Sequence, residues 1–280
     1  MPRLRLLAVP VLLAVVAPGM QAGGAQAASR WAPASTATIH PGVQMFTDGA
    51  QCTANFVFTD DARRVYVGYA AHCAATGGSS DTDGCATRSL ALGTPVRFGT
   101  GAGLLTSGTT TGSGRLAYSS WRTMQARHET NTIRCAYNDF ALVRVDAGSV
   151  GKVNPSMPVT GGPVALDTDG VPVGSTVYTY GASSMTLGGG GSARTARKTA
   201  TEGRGWEHVV RGGTGIPGDS GSGYLGPDGR AAGVLSTLAF GLTGTSNGVG
   251  DLAHELAFAQ AHSGIAGLRL VPGTVRFHPA

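Results

Sequence analysis

Three stretches of this chain carry side chains that can make a hydroxyl nucleophilic. They are Gly218-Asp219-Ser220-Gly221, Ala70-Ala71-His72-Cys73 and Asn138-Asp139-Phe140-Ala141-Leu142. A serine hydroxyl attacks poorly near neutral pH. An imidazole that takes its proton, held by a carboxylate that orients the ring, supplies what it lacks. Each stretch also has a plainer reading: a polar turn for Ser220, a structural histidine for His72, a turn aspartate for Asp139. The other histidines (His40, His128, His208, His254, His262 and His278) follow no comparable strand end. Around Ser220, the glycines at 218, 221 and 223 permit positive φ and a close backbone turn. Such a turn can aim the Gly218 and Ser220 amides at one point as an oxyanion hole, where losing one donor costs roughly 3–4 kcal/mol of transition-state binding.

The elements that would position these groups are short. Ala54 to Phe58 and Arg64 to Tyr69 flank Asp60-Asp61 and read as a hairpin. Further strand candidates are Pro95 to Phe98, Gly114 to Ser119, Phe140 to Val145, Thr176 to Tyr180, His208 to Val210 and Ala231 to Leu235, each bounded by turn residues. His72 thus sits at a strand end and Asp139 at a strand entry, where a half-buried carboxylate needs a partner. Many short strands, 45 glycines and little helical periodicity argue for a β-sandwich or barrel. Asp251 to His262 is the best helix, with Asp251 as N-cap and Gly264 just beyond its end. Gly188 to Gly191 reads as a loop, and Gly267 to Phe277 as a terminal strand or hairpin.

At 280 residues the chain can hold one large domain or two packed halves. Arg3 and Arg5, the apolar run Leu6 to Ala17 and Ala25-Gln26-Ala27 form the pattern of a secretory signal cleaved after Ala27. Its removal leaves 19 basic against 16 acidic residues. The basic cluster Arg194, Arg197, Lys198 and Arg204 lacks interleaved aromatics, so it reads as a solvated loop and not as a nucleic-acid surface. No later segment reads as a membrane anchor, and a soluble, exported monomer is expected. Four cysteines in an exported chain read as two disulfides, with three pairings open. Without a Cys-x-x-Cys, zinc is disfavoured. Asp81-Thr82-Asp83-Gly84 offers too few ligands for calcium and reads as a turn.

Taken together, in the order His, Asp, Ser, the three motifs resemble those of the trypsin/chymotrypsin-like serine proteases, in particular their bacterial secreted, streptogrisin-like branch. Ile39, 13 residues before Cys52, the segment Val177-Tyr178-Thr179-Tyr180-Gly181 and the position of Ser236 extend the likeness over about residues 38 to 262. The resemblance implies an all-β protein of two six-stranded antiparallel Greek-key β-barrels with the active site between them, plus a C-terminal helix. It places the first barrel at 38–150, after a short segment 28–37. The second barrel, with helix 251–262 and the tail, falls at 151–280. It implies catalysis by His72, Asp139 and Ser220, an oxyanion hole of Gly218 and Ser220, and a Cys52–Cys73 disulfide that leaves Cys85 for Cys135. No cofactor and no metal are expected; the partners are protein or peptide substrates and proteinaceous inhibitors.

The chain departs from that pattern in several places. Ser222-Gly223 stands where Gly-Pro is usual, no cysteine precedes the serine motif to brace the pocket, and no Arg/Lys-Ile-Val-Gly-Gly activation site occurs. Asp219 therefore needs an internal arginine as partner, at a position the sequence leaves open. The resemblance puts Thr214 at the floor of the specificity pocket, with Ser236, Thr237 and Leu238 along a wall. With no acid there, trypsin-like selection is disfavoured and small or medium apolar side chains are expected.

Two rival readings have sequence counterparts. A secreted esterase would use Ser220, Asp251 and His254, but Ser222 breaks the Gly-x-Ser-x-Gly elbow. A zinc protease at His254-Glu255 fails because Phe258 stands where the second histidine is required. A protease-like binding module would keep the fold without the chemistry.

Overall fold

The computed structural model describes residues 30–48, 50–77, 82–241 and 244–280. The expected signal peptide lies outside them. Strands β1 (Gln44–Thr47) and β2 (Ala50–Thr53) form a hairpin, followed by β3 (Val57–Thr59) and β4 (Val65–Tyr69). The β3–β4 turn is stapled by buried Asp60, whose Oδ1 accepts the Arg64 amide at 2.8 Å and whose Oδ2 accepts the Tyr66 hydroxyl at 2.9 Å. Long strands β5 (Pro95–Gly103) and β6 (Thr106–Ser119) lead into helices α1 (Ser120–Ala126) and α2 (Thr132–Tyr137), then β7 (Ala141–Val145) and the single turn α3 (Ala147–Val150).

The first sheet runs β14-β3-β4-β7-β6-β5-β1-β2, with β14 (Arg269–Leu270) contributed by the C-terminal tail. Strands β2 and β3, at opposite sides of that order, belong to one bent strand. Between β2 and β3 the chain keeps pairing, as Ala54 N donates to Val43 O (2.9 Å) and Asn55 N to Gly68 O (2.8 Å). Counted that way, the ring has the expected six members, and β14 covers the edge of β3 that β1 does not reach. The sequence reading grouped the tail with the second barrel. Its segment Arg269–Leu270 crosses back to β3, with Leu268 and Val271 buried in the larger core, while Phe277 stays against Tyr178 of the second unit.

The second unit is a closed barrel, β10-β13-β12-β11-β8-β9, built from β8 (Thr176–Gly181), β9 (Ser192–Glu202), β10 (Glu207–Arg211), β11 (Gly223–Leu225), β12 (Ala231–Gly241) and β13 (Gly244–Asp251). Val177, Ala196, Val210, Tyr224, Leu235 and Val249 fill its interior. Helix α4 (Leu252–His262) matches the expected helix, its N-cap Asp251 accepting the His254 amide at 3.0 Å. Leu252, Leu256 and Ala259 join the larger core, which also holds Tyr178, Leu225 and Val234 from the second barrel. One apolar body therefore seats the two halves against each other, which fixes the groove between them. Among the described residues, no helix is long and apolar enough to cross a membrane.

Two sequence expectations give way. Arg194, Arg197 and Lys198 lie in strand β9 and not in a loop. The alternation of a strand turns Arg194, Ala196 and Lys198 to one face, and Lys198, 3% exposed, donates Nζ to Val171 O at 2.6 Å. Helices α1 and α2 went unread because one or two turns show no 3.6-residue period. They are set by the caps Ser119 and Asn131, whose side chains accept from the first-turn amides.

Candidate active site

His72 emerges from β4, whose five residues are all buried, into a single 3-10 turn, Ala71–Ala74. Its neighbour Cys73 is bonded to Cys52 of β2, which anchors the turn covalently. The second disulfide joins Cys85 to Cys135 of α2, the helix that leads into Asn138-Asp139.

Asp139, 3% exposed, holds the imidazole from one side. Its Oδ2 lies 2.6 Å from His72 Nδ1 and its Oδ1 accepts the His72 amide at 2.8 Å. Ala71 N donates to Asp139 O at 3.2 Å, so backbone and side chain are locked together. Because a carboxylate only accepts, Nδ1 carries the hydrogen and Nε2 keeps its lone pair. The Ser236 hydroxyl donates to the same Oδ2 at 2.6 Å. Burial alone would push this carboxyl up, but His72 and the donated hydrogen bonds outweigh it and hold Asp139 below its ordinary value. Burial likewise disfavours a charged His72, and the facing Asp139 overcomes that, leaving the imidazole above its ordinary value.

Ser220 stands on a turn presented by the second barrel. Gly218 and Gly221 have φ of +95° and +87°, where an L side chain is strained. The turn is bolted to the first sheet: Thr53 N donates to Ser220 O at 2.8 Å, and Gly218 O accepts Thr53 Oγ1 at 2.9 Å and Gln51 Nε2 at 3.1 Å. Ser222, the departure from the usual motif, is buried and donates its hydroxyl to Asp219 O within the turn. Ser183 Oγ donates to Pro217 O, and a trans peptide then turns the Gly218 N–H the opposite way. Among the described residues, neither the Gly218 amide, the Ser220 amide nor the Ser220 hydroxyl has a hydrogen-bond partner.

The arginine that Asp219 needs is Arg194. Its Nη2 lies 2.7 Å from Asp219 Oδ2, which also accepts the Ile216 amide at 2.9 Å, while Oδ1 accepts the Ser183 amide at 3.0 Å. Asp219 is 1% exposed, so the ion pair sits beneath the serine turn and ties both flanks of it. Gly181 has to be glycine here, because a Cβ would overlap both the guanidinium and the carboxylate.

His72, Asp139 and Ser220 line one cleft of about 760 Å³ between the two halves, together with Trp121, Gln51 and Gly218. Its inner end is walled by Gly215 to Pro217 on one side and Leu235 to Leu238 on the other, with Asn247 joining them. Asn247, 1% exposed, accepts the Gly215 amide at 2.7 Å and donates to Thr237 O at 3.0 Å. Ser236, Thr237 and Leu238 all line the cleft, and the Ser236 hydroxyl faces Asp139. Thr214 is not at the floor: its hydroxyl pairs with Thr245 at 3.0 Å, its carbonyl accepts from Arg194, and it is absent from the cleft lining. Asp251 and His254, the esterase candidates, bond to each other at 2.8 Å and also lie outside that lining.

No family model and no curated protein matches this sequence. Solved structures match the fold. Thermobifida fusca Protease A aligns with a TM-score of 0.52 at 17% identity, over 84% of this chain and 99% of that one. A Glu endopeptidase in complex with MPD aligns at TM-score 0.53 and 17% identity, over 84% and 94%. A glutamic acid specific serine protease, described as using a histidine triad in substrate binding, aligns at TM-score 0.51 and 15% identity, over 83% and 100%. The fold is that of the chymotrypsin-like serine proteases. At these identities the shared property is architecture.

Within that fold, sequence reasoning missed Arg194, Ser183, Gln51, Asn247 and Glu255. Only Arg194 left a signal: the unpaired demand of Asp219 for a cation. Glu255 is buried in α4 behind Asp139 and accepts the Asp139 amide at 3.0 Å. Among the described residues, two groups come close enough to suggest a metal, Cys52 with His72 and Cys73, and Asp83 with Cys85 and Cys135. In both, the sulfurs are consumed by disulfides.

Proposed function

We propose that this chain is a secreted serine endopeptidase acting through His72, Asp139 and Ser220. The observation that carries the reading is the 2.6 Å His72–Asp139 contact in a cleft that Ser220 also lines, its own amide and that of Gly218 unpartnered among the described residues. As Ser220 Oγ bonds to the scissile carbonyl carbon, His72 Nε2 takes its proton; Asp139 stabilises the imidazolium. The carbonyl oxygen, now an oxyanion, accepts from the Gly218 and Ser220 N–H groups. His72 returns the proton to the leaving amine, and water attacks the acyl-enzyme with His72 again as base. The Oγ–Nε2 hydrogen bond is expected to close when substrate occupies the cleft, as is common for catalytic contacts.

For selectivity, we propose a small or medium apolar side chain before the scissile bond. Gly215, Ile216, Leu235, Leu238 and Asn247 carry no charge, which supports neither a cationic nor an anionic substrate group. Two of the solved neighbours are named for glutamate, yet among the described residues no Lys, Arg or second histidine lines this cleft. Export is supported by the leader at residues 1–27 and by the two disulfides.

A fluorophosphonate probe should label the wild type, and Ser220→Ala or His72→Ala should abolish labelling. A wild type that fails to label would favour the binding-module reading. Hydrolysis of casein separates an endopeptidase from an esterase, which would cleave only short esters.

A further inference from the structure

Glu255 is fully buried, and the proposed mechanism leaves it without a role. Its Oε1 accepts the Asp139 amide at 3.0 Å, while Oε2 has no partner among the described residues. The site is built to hold a carboxyl. An ideal Cβ on Gly250 would collide with Glu255 Oε1, and one on Gly248, two residues along the same face of β13, with Glu207 Oε2. Strand β13 thus omits two side chains where two carboxyls from α4 and β10 lie.

The charges around Glu255 are mostly of its own sign. Asp139 ahead of β7, Glu207 on β10 and Asp251 at the head of α4 all face it, as does the Tyr118 hydroxyl of β6, itself without a partner. The basic side chains nearby face other carboxylates. His72 holds Asp139, while His208 and His254 lie 3.1 and 2.8 Å from the Asp251 oxygens. Arg122, the one charged residue of α1, donates to Ser89 O at 3.1 Å. Strand β12 carries no charged residue. A dry carboxylate beside Asp139 with no countercharge is the costliest arrangement available, and a protonated carboxyl avoids it.

We propose that Glu255 is a positioning residue for Asp139, acting as a neutral carboxyl whose Oε1 accepts the Asp139 amide. The hydrogen bond fixes the backbone from which the Asp139 carboxylate reaches His72. The proton keeps a second negative charge from the back of the Asp139–His72 pair, leaving the basicity of His72 to Asp139 alone. Burial and the like charge of Asp139 drive the Glu255 carboxyl well above the usual range, in the same direction.

This inference rests on the proposed catalytic role of Asp139, and its test has an arm independent of that role. Infrared difference spectra of the wild type against Glu255→Gln at neutral pH should show the C=O stretch of a protonated carboxyl, absent from the variant. If the difference is instead a carboxylate band, the neutral state is wrong, whatever the protein catalyses. For positioning, Glu255→Leu should lower kcat on the order of 10- to 100-fold with KM little changed, as for a reacting group displaced by a fraction of an ångström. Glu255→Gln, isosteric and neutral, should recover most of that loss with the acid limb of the pH profile unmoved. A lowered limb in Glu255→Gln would mean that the native group is charged, overturning the proposal. So would a Glu255→Leu protein that is less stable but unchanged in kcat. Should Glu255→Leu not fold, the infrared band and the Glu255→Gln limb still decide. Absence of fluorophosphonate labelling in the wild type, with the protonated band present, would count against the serine-protease reading and leave the neutral carboxyl standing.

Discussion

Replacing Arg194 by Met removes the guanidinium paired with Asp219 beneath the serine turn while keeping most of the side chain's bulk. Asp219 is 1% exposed and would retain the Ser183 and Ile216 amides at 3.0 and 2.9 Å but lose the guanidinium at 2.7 Å. Breaking a buried pair typically costs 3–5 kcal/mol, and two retained donors place this case at the low end, about 3 kcal/mol. For a chain of this size that is a fall of about 6–12 °C in Tm. The same two amides flank the turn that carries Gly218 and Ser220, so a carboxylate that relaxes outward drags them with it. Loss of one oxyanion donor lowers kcat on the order of 10²- to 10³-fold. Urea denaturation and fluorophosphonate labelling rates measure both effects. Arg194→Met/Asp219→Asn should regain part of the stability, since a neutral amide needs no countercharge, and the cycle then isolates the pair. Gly181→Ala should mimic Arg194→Met, because its methyl would occupy the space of the ion pair. If Arg194→Met loses less than about 1 kcal/mol and labels at the wild-type rate, the pair does not hold the turn, and the reasoning fails.

Other measurements address the rest of the structure. Because Asp139 raises His72 above its ordinary value, the proposed base would lose its proton only above about pH 6.5. Activity should fall as pH drops through that raised value; Asp139→Asn should move the limb down and lower kcat on the order of 10⁴-fold, and an unmoved limb would exclude the coupling. Burial first, then Glu202 and Asp139, push Glu207 up to about 7 from 4.5. Its burial therefore costs nothing below about pH 4.5, where it is protonated in both states, and costs up to about 3 kcal/mol once pH exceeds 7. Glu207→Gln should match the wild type at pH 4 and exceed it at pH 8, and denaturation curves with the same offset at both pH values would contradict this. Removing Cys52–Cys73 or Cys85–Cys135, with sequence separations of 21 and 50, should cost about 3 and about 4 kcal/mol by loop entropy. Only the first should also slow labelling, since it frees the turn beneath His72; equal effects on labelling would refute that anchor.

Legibility in the sequence followed the range of the interaction responsible. The β3–β4 hairpin was readable because its turn residues and alternating strands are adjacent, and helix α4 because Asp251 caps it three residues from the amide it accepts. Strand β9 was misread as a loop because Arg194 and Lys198 look solvated until Asp219 and Val171 arrive from elsewhere in the chain. The resemblance put Thr214 at the pocket floor, but its hydroxyl turns to Thr245, and Asn247, opposite Leu238 in the register of β12 on β13, lines the cleft. Glu255 left no trace, since its partner amide lies 116 residues away.

The chain by itself determined which chemistry was available. It supplied an imidazole, a carboxylate and a glycine-flanked hydroxyl, four cysteines, and enough short alternating runs to build two β units. Tertiary structure decided what those groups are. Whether Asp219 has a counterion, whether Glu255 carries a proton, and how basic His72 is all depend on which groups share a dry space, and burial magnifies each pairing. Residue type sets the ordinary affinity for a proton or partner. Only folding sets the neighbours and the dielectric that shift it.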